Sequence, residues 1–235
     1  MNNFFVKTDK PKTENFHLKY KPYHIKDFPL DDKFYQVLQS FLQIDDLNLL
    51  ICGPLCCGKT SLLYAIMRDY YGLKKLDPFP ENNILLINNL KDQGINFYRN
   101  EMKTFCQSRC SIHRKKKLII IDDIDMISDQ CQQVFRNYID KYKNNVHFLS
   151  VCTTIEKVIE SIQSRLHIVY MKNPDQKTTY AIMNNIIVKE NLDIHEKAKK
   201  YIIKYSNYQI REILNYLEKL LILKQNDQQI TEENC

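Results

Sequence analysis

The segment from Gly53 to Thr60 constrains the fold of this chain more than any other part of the sequence. It reads Gly-Pro-Leu-Cys-Cys-Gly-Lys-Thr and matches the pattern G-x-x-x-x-G-K-[ST], in which a loop joins a strand to the N-terminus of a helix. Four apolar residues, 49–52, precede the loop, and residues 61–67 follow it with helical spacing. The motif in this context predicts an α/β fold with a phosphate-binding site.

Each position of the loop has an expected role in holding ATP. Backbone N–H groups would point at the phosphates, and the dipole of the following helix would favour their negative charge. Lys59 would reach the terminal phosphates, and the hydroxyl of Thr60 would bind Mg²⁺. A loop that keeps this shape and binds nothing is the alternative. The predicted cofactor-binding residues of the loop are Gly53, Pro54, Leu55, Cys56, Cys57, Gly58, Lys59, Thr60 and Ser61.

A pair of acids follows the apolar run 118–121 and forms the second half of the predicted site. Ligands of open parallel sheets bind at the carboxyl ends of the strands, which is where Asp122 and Asp123 fall. Asp122 would hold the Mg²⁺ shell, and Asp123 is the candidate base that polarises water for attack on the γ-phosphate. The alternative is an ordinary strand end at the surface.

Apolar runs alternate with helical segments over most of the chain and predict a parallel sheet of five strands. The pattern changes after Met171, where three amphipathic segments predict a separate all-α domain. We therefore expect a flexible leader over residues 1–15, an α/β nucleotide-binding domain over 16–171 and a small helical domain over 172–235.

Composition restricts the class of protein less sharply. The formal net charge of +6 over 235 residues is compatible with an anionic partner such as nucleic acid. The eight cysteines lack paired C-x-x-C spacing, and neither a signal peptide nor a membrane-spanning stretch is predicted, so we interpret them as reduced thiols in an intracellular protein without a membrane partner. The basic run 114–117 suggests either a DNA contact or a solvated loop.

Several ordered segments resemble the small subunits of replication factor C, the sliding-clamp loader of the AAA+ ATPase class, over residues 16–233. Residues 19–22, Lys-Tyr-Lys-Pro, resemble that family's K-Y-R-P segment near the adenine. Residues 152–166 follow its C-N…K-I-I-E-P-I-Q-S-R-C string, and 211–215 resemble its R-R-A-L-N. The resemblance implies a P-loop AAA+ domain with a five-stranded parallel sheet, followed by a small all-α lid domain.

The resemblance also implies roles for individual residues. Tyr20 would lie near the adenine, and Thr153 would occupy the sensor-1 position that orients water and γ-phosphate. Arg165 would be an arginine finger that reaches the ATP of a neighbouring subunit, and Arg211 would be the sensor-2 arginine that contacts the nucleotide. Without the resemblance, Thr153 is equally well a structural β-branched residue, and the two arginines are surface cations.

Departures from the family pattern bear on the expected rate of hydrolysis. Leu55-Cys56-Cys57 replace P-G-T, so a Cβ stands where the backbone bends around phosphate. Asp123 replaces Glu and Thr153 replaces Asn. We expect ATP binding with hydrolysis that is slow or assisted by another subunit. The family's C-terminal collar is not supplied after Cys235, so either the chain is a fragment or its assembly relies on other surfaces.

Three functions are consistent with these features. The first is a subunit of a hetero-oligomeric clamp loader that loads a sliding clamp onto primer–template DNA, held by phosphate contacts, in the nucleus or at another site of replication such as a viral compartment. The second is an ATP-binding structural subunit that hydrolyses little ATP and supplies Arg165 to a neighbour. The third is another AAA+ replication or repair ATPase.

Overall fold

The computed structural model describes residues 15–87 and 95–225. Residues 1–14 of the predicted leader lie outside the described residues, as do 88–94 and 226–235. The chain divides into two compact units. Of the described residues, 22–178 form an α/β unit, whereas 15–21 and 179–225 form a helical unit.

The regular elements alternate in the order that the sequence predicts. In chain order, the described elements are α1 (Phe16–Lys19), α2 (Asp32–Gln43), β1 (Leu49–Cys52), α3 (Lys59–Tyr71), β2 (Ile84–Ile87), α4 (Ile95–Gln107), β3 (Lys117–Ile121), α5 (Asp129–Tyr142), β4 (Val146–Cys152), α6 (Glu160–Gln163), β5 (His167–Tyr170), α7 (Gln176–Lys189), α8 (Glu196–Tyr205) and α9 (Ile210–Gln225). The five strands form one parallel sheet in the order β2-β3-β4-β1-β5, which confirms the predicted fold class.

Helices cover both faces of the sheet. Side chains alternate along each strand, so that Leu50 and Cys52 of β1 face one layer, whereas Leu49 and Ile51 face the other. The first layer contains α4 and α5, and the second contains α2 and α3. Every residue of β1, β3 and β4 is buried. Burial on both faces explains the continuous apolar runs, because each buried branched side chain contributes about 1.5–3 kcal/mol.

The helical unit has its own apolar core, formed by α7, α8 and α9 together with Phe16 of α1. Phe16 is buried, and Lys19 pairs with Glu190 at 2.6 Å. These contacts place residues 15–21 with the helical unit, whereas the sequence analysis assigns 16–21 to the nucleotide-binding domain. The reason is local: an isolated aromatic residue followed by a short polar segment carries no periodicity that would reveal its packing partner.

The basic run 114–117 lies where β3 begins, and most of it is engaged within the protein. Lys115 lies over the ring of Tyr70, and Lys116 pairs with Asp45 at 3.2 Å. Lys117 is 3% exposed, and its ammonium donates to a carbonyl and a hydroxyl of the α4 C-terminal turn. These contacts favour a structural role for the three lysines. None of the helices within the described ranges is long and apolar enough to cross a membrane.

Candidate nucleotide site

The topology of the sheet brings the phosphate loop, Asp122 and Thr153 together at the carboxyl end of the sheet. Strands β3, β4 and β1 are neighbours, and all three run in the same direction. Asp122 follows β3, Thr153 follows β4 and Gly53 follows β1. An acid, a hydroxyl and the phosphate loop therefore lie close together at the carboxyl ends of these three strands.

The loop between β1 and α3 is held close to the end of β5. The N–H of Gly53 donates to the carbonyl oxygen of Cys152 at 3.2 Å. A Cβ at Gly53 would lie 2.4 Å from the carbonyl oxygen of Met171, so only glycine fits. Gly58 has φ +98° and directly precedes α3. Cys56 has φ +61°, the left-handed region, in which a residue with a Cβ costs about 1–2 kcal/mol.

The ammonium group of Lys59 connects the loop to β4. Lys59 is only 7% exposed, and its Nζ donates to the carbonyl oxygens of Gly53 and Pro54, both at 2.9 Å. The same Nζ donates to the Oγ1 of Thr153 at 3.2 Å. The predicted phosphate-binding lysine and the predicted sensor residue are therefore in direct contact, and a buried positive charge lies at the mouth of the loop.

Thr60 and Asp122 meet beside this charge. The Oγ1 of Thr60 donates to the Oδ1 of Asp122 at 3.1 Å. Burial, and then the negative charge of Asp123, raise the pKa of Asp122, although the hydrogen bond from Thr60 and the charge of Lys59 oppose the shift. A hydroxyl and a carboxylate are hard oxygen ligands, and a bound divalent cation would stabilise the ionised form of Asp122. The residues present thus fit Mg²⁺.

Asp123 begins a sharp turn after β3. Its φ is +55°, and the short 3-10 turn Ile124–Met126 follows it directly. The left-handed backbone redirects the chain immediately after the strand, so Asp123 stays at the exposed rim while Asp122 is half-buried. Tyr64 of α3 also lies near this acid pair, since burial and then the charge of Asp122 raise the pKa of the Tyr64 hydroxyl.

Asp125 is a site residue that the sequence analysis does not identify. Its Oδ2 accepts hydrogen bonds from the backbone N–H groups of Thr153 at 3.1 Å and Thr154 at 2.9 Å. Its Oδ1 is buried and has no hydrogen-bond partner in the described part of the chain. The carboxylate thus ties the turn after β3 to the end of β4. The available signal was the third acid in the string I-D-D-I-D.

Gln132 of α5 forms a second connection that the sequence gives no reason to expect. It is 1% exposed, and its Nε2 donates to the carbonyl oxygens of Ile127 and Lys157, both at 3.0 Å. Its Oε1 accepts from the N–H of Ile159 at 2.9 Å. One fully bonded amide therefore joins the segment after Asp123 to the segment that precedes α6.

Arg165 lies just beyond α6, away from the loop contacts. Its Nε donates to Asp140 Oδ1 at 2.6 Å, and its Nη1 donates to the carbonyl oxygen of Ser161 at 2.7 Å. The guanidinium lowers the pKa of Asp140 through this hydrogen bond. The contacts of Arg165 within the described residues thus include none to the loop between β1 and α3.

Two of the predicted site residues belong to the helical unit. The hydroxyl of Tyr20 donates to Glu190, and its ring meets Phe16 edge to face. Burial, and then the hydrogen bond to Glu190, raise the pKa of Tyr20. Arg211 is exposed in the first turn of α9. The adenine-binding role of Tyr20 and the sensor role of Arg211 stay predictions.

The comparison with known families agrees with this geometry. The model of the "ATPase family associated with various cellular activities (AAA)" matches residues 49–173, which is more than half of the chain. This chain belongs to the AAA family. The matched range begins at β1 and includes the phosphate loop, the acid pair after β3, Thr153 and Arg165.

Individual relatives refine the comparison. The chain is 29% identical to replication factor C subunit 3 of Schizosaccharomyces pombe over 85% of its own length and 57% of the relative's. It is 30% identical to a probable replication factor C subunit 5 of Dictyostelium discoideum, covering 92% of this chain and 61% of that protein. The chain thus spans about three fifths of the length of these relatives.

A solved structure supports the fold. A Thermotoga maritima RuvB variant superposes with a TM-score of 0.68 at 14% identity, covering 91% of this chain and 71% of the RuvB chain. At this identity the similarity concerns the fold alone, and it is consistent with the parallel sheet described above.

Proposed function

We propose that this chain is an ATP-binding subunit of a clamp-loading complex that acts at sites of DNA replication. The observation that carries the proposal is that four polar side chains meet at the carboxyl end of the sheet. Lys59 donates a hydrogen bond to Thr153, and Thr60 donates one to Asp122. Similarity to replication factor C subunits adds the partners: other loader subunits, a sliding clamp and primer–template DNA held by phosphate contacts.

The mechanism follows from what these residues can hold. The N–H groups of the loop and of the first turn of α3 bind the phosphates of ATP. Lys59 exchanges its contacts to the carbonyls of Gly53 and Pro54 for phosphate oxygens. Thr60 and Asp122 would hold Mg²⁺, and the ion would supply positive charge that neutralises the phosphates.

Hydrolysis uses residues farther along the same edge. Asp123 accepts the proton of the attacking water, and Thr153 orients that water through its hydroxyl. Aspartate is one methylene shorter than the glutamate of the related loaders, so the water lies farther from its base and turnover by the chain alone is slow. Arg165 is engaged with Asp140 in its own unit and stabilises transition-state charge in a neighbouring subunit.

The experiment is reconstitution with the candidate loader subunits, a sliding clamp and primed DNA. The proposal predicts that the clamp co-purifies with the complex in ATP and that primed DNA stimulates ATP hydrolysis. Unprimed duplex of the same length is the control. Absence of both the co-purification and the stimulation, in a complex that is shown to assemble, would overturn the clamp-loading role.

A second candidate function is a structural subunit that hydrolyses little ATP. Two features favour this second function: the left-handed backbone of Cys56 in the phosphate loop, and the short side chain of Asp123 at the position of the base. Both lie where hydrolysis depends on the exact distances between protein groups and phosphate. In this case Lys59→Ala leaves turnover of the assembled complex almost intact, while Arg165→Ala lowers it strongly. The reverse pattern supports the first function, because turnover then depends on this chain's own site.

A further inference from the structure

Helix α8 of the helical unit has two unlike sides. Ala198, Ile202 and Ile203 are buried in the core of the unit. The opposite side carries residues at helical spacing that are all exposed, and we call this surface the lysine–tyrosine face. Its members are Lys197, Lys200, Tyr201, Lys204 and Tyr205.

The two tyrosines of the face form an exposed aromatic platform. Tyr201 is 56% exposed and Tyr205 is 72% exposed. Their rings are stacked one helical turn apart, with centroids separated by 6.3 Å and planes inclined by 23°. The core of the unit takes up neither ring, so both keep a π-face that can stack on a planar ligand.

The charged residues of the lysine–tyrosine face are all lysines. Lys200 and Lys204 each directly precede one of the tyrosines, and the sequence from 197 to 211 contains no aspartate or glutamate. Glu196, at the start of α8, is paired with Lys199 at 2.7 Å and accepts a hydrogen bond from Tyr180. Its charge is therefore partly neutralised by a lysine that lies outside the face.

We propose that the lysine–tyrosine face binds single-stranded nucleic acid, with the lysines on phosphates and the tyrosine rings stacked on bases. Exposed aromatic rings interleaved with cations are the arrangement that sequence-tolerant single-strand binding uses. A membrane surface fits less well, because the apolar side of α8 is already buried and tyrosine is the only ring or aliphatic group left for insertion. A protein partner would suit the tyrosines, which are enriched in protein interfaces, and not the lysines, which are depleted there.

This inference goes beyond the proposed function, because it needs neither ATP nor a partner subunit. The surface lies in the helical unit, whereas the phosphate loop, the acid pair and Thr153 lie in the α/β unit. If the proposed function is wrong, single-strand binding by the lysine–tyrosine face can still be correct, and the reverse also holds. Lys59→Ala separates the two: the variant loses ATP binding and keeps its affinity for single strands.

The test is fluorescence anisotropy of a labelled oligo-dT with the full chain, without nucleotide, over a range of salt concentrations. We expect saturable binding and a log–log salt slope near about −2, the value for three phosphate contacts on a single strand. Oligo-U and a duplex of equal length are measured in parallel. We expect both single strands to bind, and their relative affinities show whether DNA or RNA is preferred. The duplex should bind more weakly because its bases are already stacked on one another.

Variants assign the binding to the face. The double variant Tyr201→Ala/Tyr205→Ala lowers affinity by at least about fivefold, whereas Tyr201→Phe/Tyr205→Phe retains it because the rings remain. Lys200→Gln/Lys204→Gln weakens binding and flattens the salt slope. The matched control Lys189→Gln/Lys219→Gln removes the same charge from exposed positions on α7 and α9, and it retains binding.

Four outcomes would overturn the proposal. They are absence of oligo-dT binding, equal losses in the control and face variants, losses on lysine replacement with none on tyrosine replacement, and binding of the face to phosphatidylserine vesicles without binding to oligo-dT. Circular dichroism of each variant confirms that α8 is intact, since all of the replaced side chains are exposed.

Discussion

The two ends of the parallel sheet carry polar groups of opposite character. At the amino ends of the strands, Asp45 accepts hydrogen bonds from the hydroxyl of Tyr70 at 3.0 Å and from His147 Nε2 at 3.2 Å, and it pairs with Lys116. At the carboxyl ends, Asp122 lies beside Asp123, and one oxygen of Asp125 is buried without a partner in the described residues.

The pKa shifts of the two acids express this difference. Burial opposes ionisation of Asp45, but hydrogen bonds from His147, Lys116 and Tyr70 prevail and lower its pKa. Burial and the charge of Asp123 raise the pKa of Asp122. The amino end is a completed network that stabilises the fold. The carboxyl end keeps like charges together beside a buried ammonium, an arrangement that the cation and polyphosphate of the proposed function would complete.

The largest effect is expected where the backbone is closest at the carboxyl end. Gly53→Ala places a Cβ 2.4 Å from the Met171 carbonyl oxygen, so the loop or the end of β5 must move. We expect a loss of about 1–3 kcal/mol of unfolding free energy, together with loss of ATP affinity. Gly72→Ala measures the cost of a left-handed backbone alone, about 1–2 kcal/mol at φ +67°, since no atom lies within 4 Å of its new Cβ, and it should leave ATP affinity unchanged. Wild-type stability and ATP affinity in Gly53→Ala, measured by urea denaturation and nucleotide titration, would contradict the close approach.

The next effect concerns the link between the turn after β3 and the end of β4. Asp125→Ala leaves the N–H groups of Thr153 and Thr154 without their acceptor, which costs about 1–3 kcal/mol. Asp125→Asn keeps an acceptor oxygen and should recover most of the stability. Thermal and urea unfolding measure both variants. If the alanine variant is as stable as the wild type, the carboxylate does not support this edge.

A smaller, pH-dependent effect is expected at the amino end. His147 is fully buried, and burial lowers its pKa although Asp45 acts in the opposite direction. The unfolded chain therefore binds a proton at higher pH than the folded chain, so stability falls as pH falls from the ordinary imidazole value of about 6.5 toward the lower folded value. Unfolding midpoints between pH 7.5 and 5.5 measure this loss.

His147→Gln isolates the contribution of that imidazole. The glutamine cannot titrate, so the stability of the variant should depend less on pH over the same interval, even if it is lower throughout. An unchanged slope would assign the pH dependence to the other histidines. Asp45 acts in a separate range, because its lowered pKa stabilises the fold above its ordinary value and that contribution is lost in acid.

The smallest effect is expected at Cys56. Its left-handed backbone costs a side-chain residue about 1–2 kcal/mol, and glycine removes that cost while adding entropy to the unfolded chain. Cys56→Gly should therefore raise stability by up to about 1 kcal/mol. Cys56→Ala keeps the Cβ and should bring no gain. A stabilising alanine variant would show that the thiol, and not the backbone, is the source of strain.

The sequence predicts most of the α/β unit because its signals are local. The loop motif and the continuous apolar runs predict β1, the start of α3 and β3 correctly. The parallel sheet then explains why Asp122 and Thr153, 31 positions apart in the sequence, meet the same loop. Strand ends are predictable where apolar runs stop.

Other features depend on packing that has no local signal. Asp125 and Gln132 act through hydrogen bonds to backbone groups of other segments, which no spacing rule predicts. Phe16 joins the core of a unit whose helices begin more than 150 residues later. The lysines that follow Arg114 look free in the sequence, yet the fold supplies each with a ring, a carboxylate or a carbonyl.

The most direct test of the difference between the two ends is equilibrium binding of a fluorescent ATP analogue, with and without Mg²⁺. The account predicts saturable, Mg²⁺-enhanced binding that Lys59→Ala weakens by at least about tenfold, because a charge-assisted contact is lost. Lys116→Ala, at the amino end, should lower stability and leave the affinity unchanged. Absence of binding to the wild-type chain, or equal affinity of the wild type and Lys59→Ala, would contradict the account.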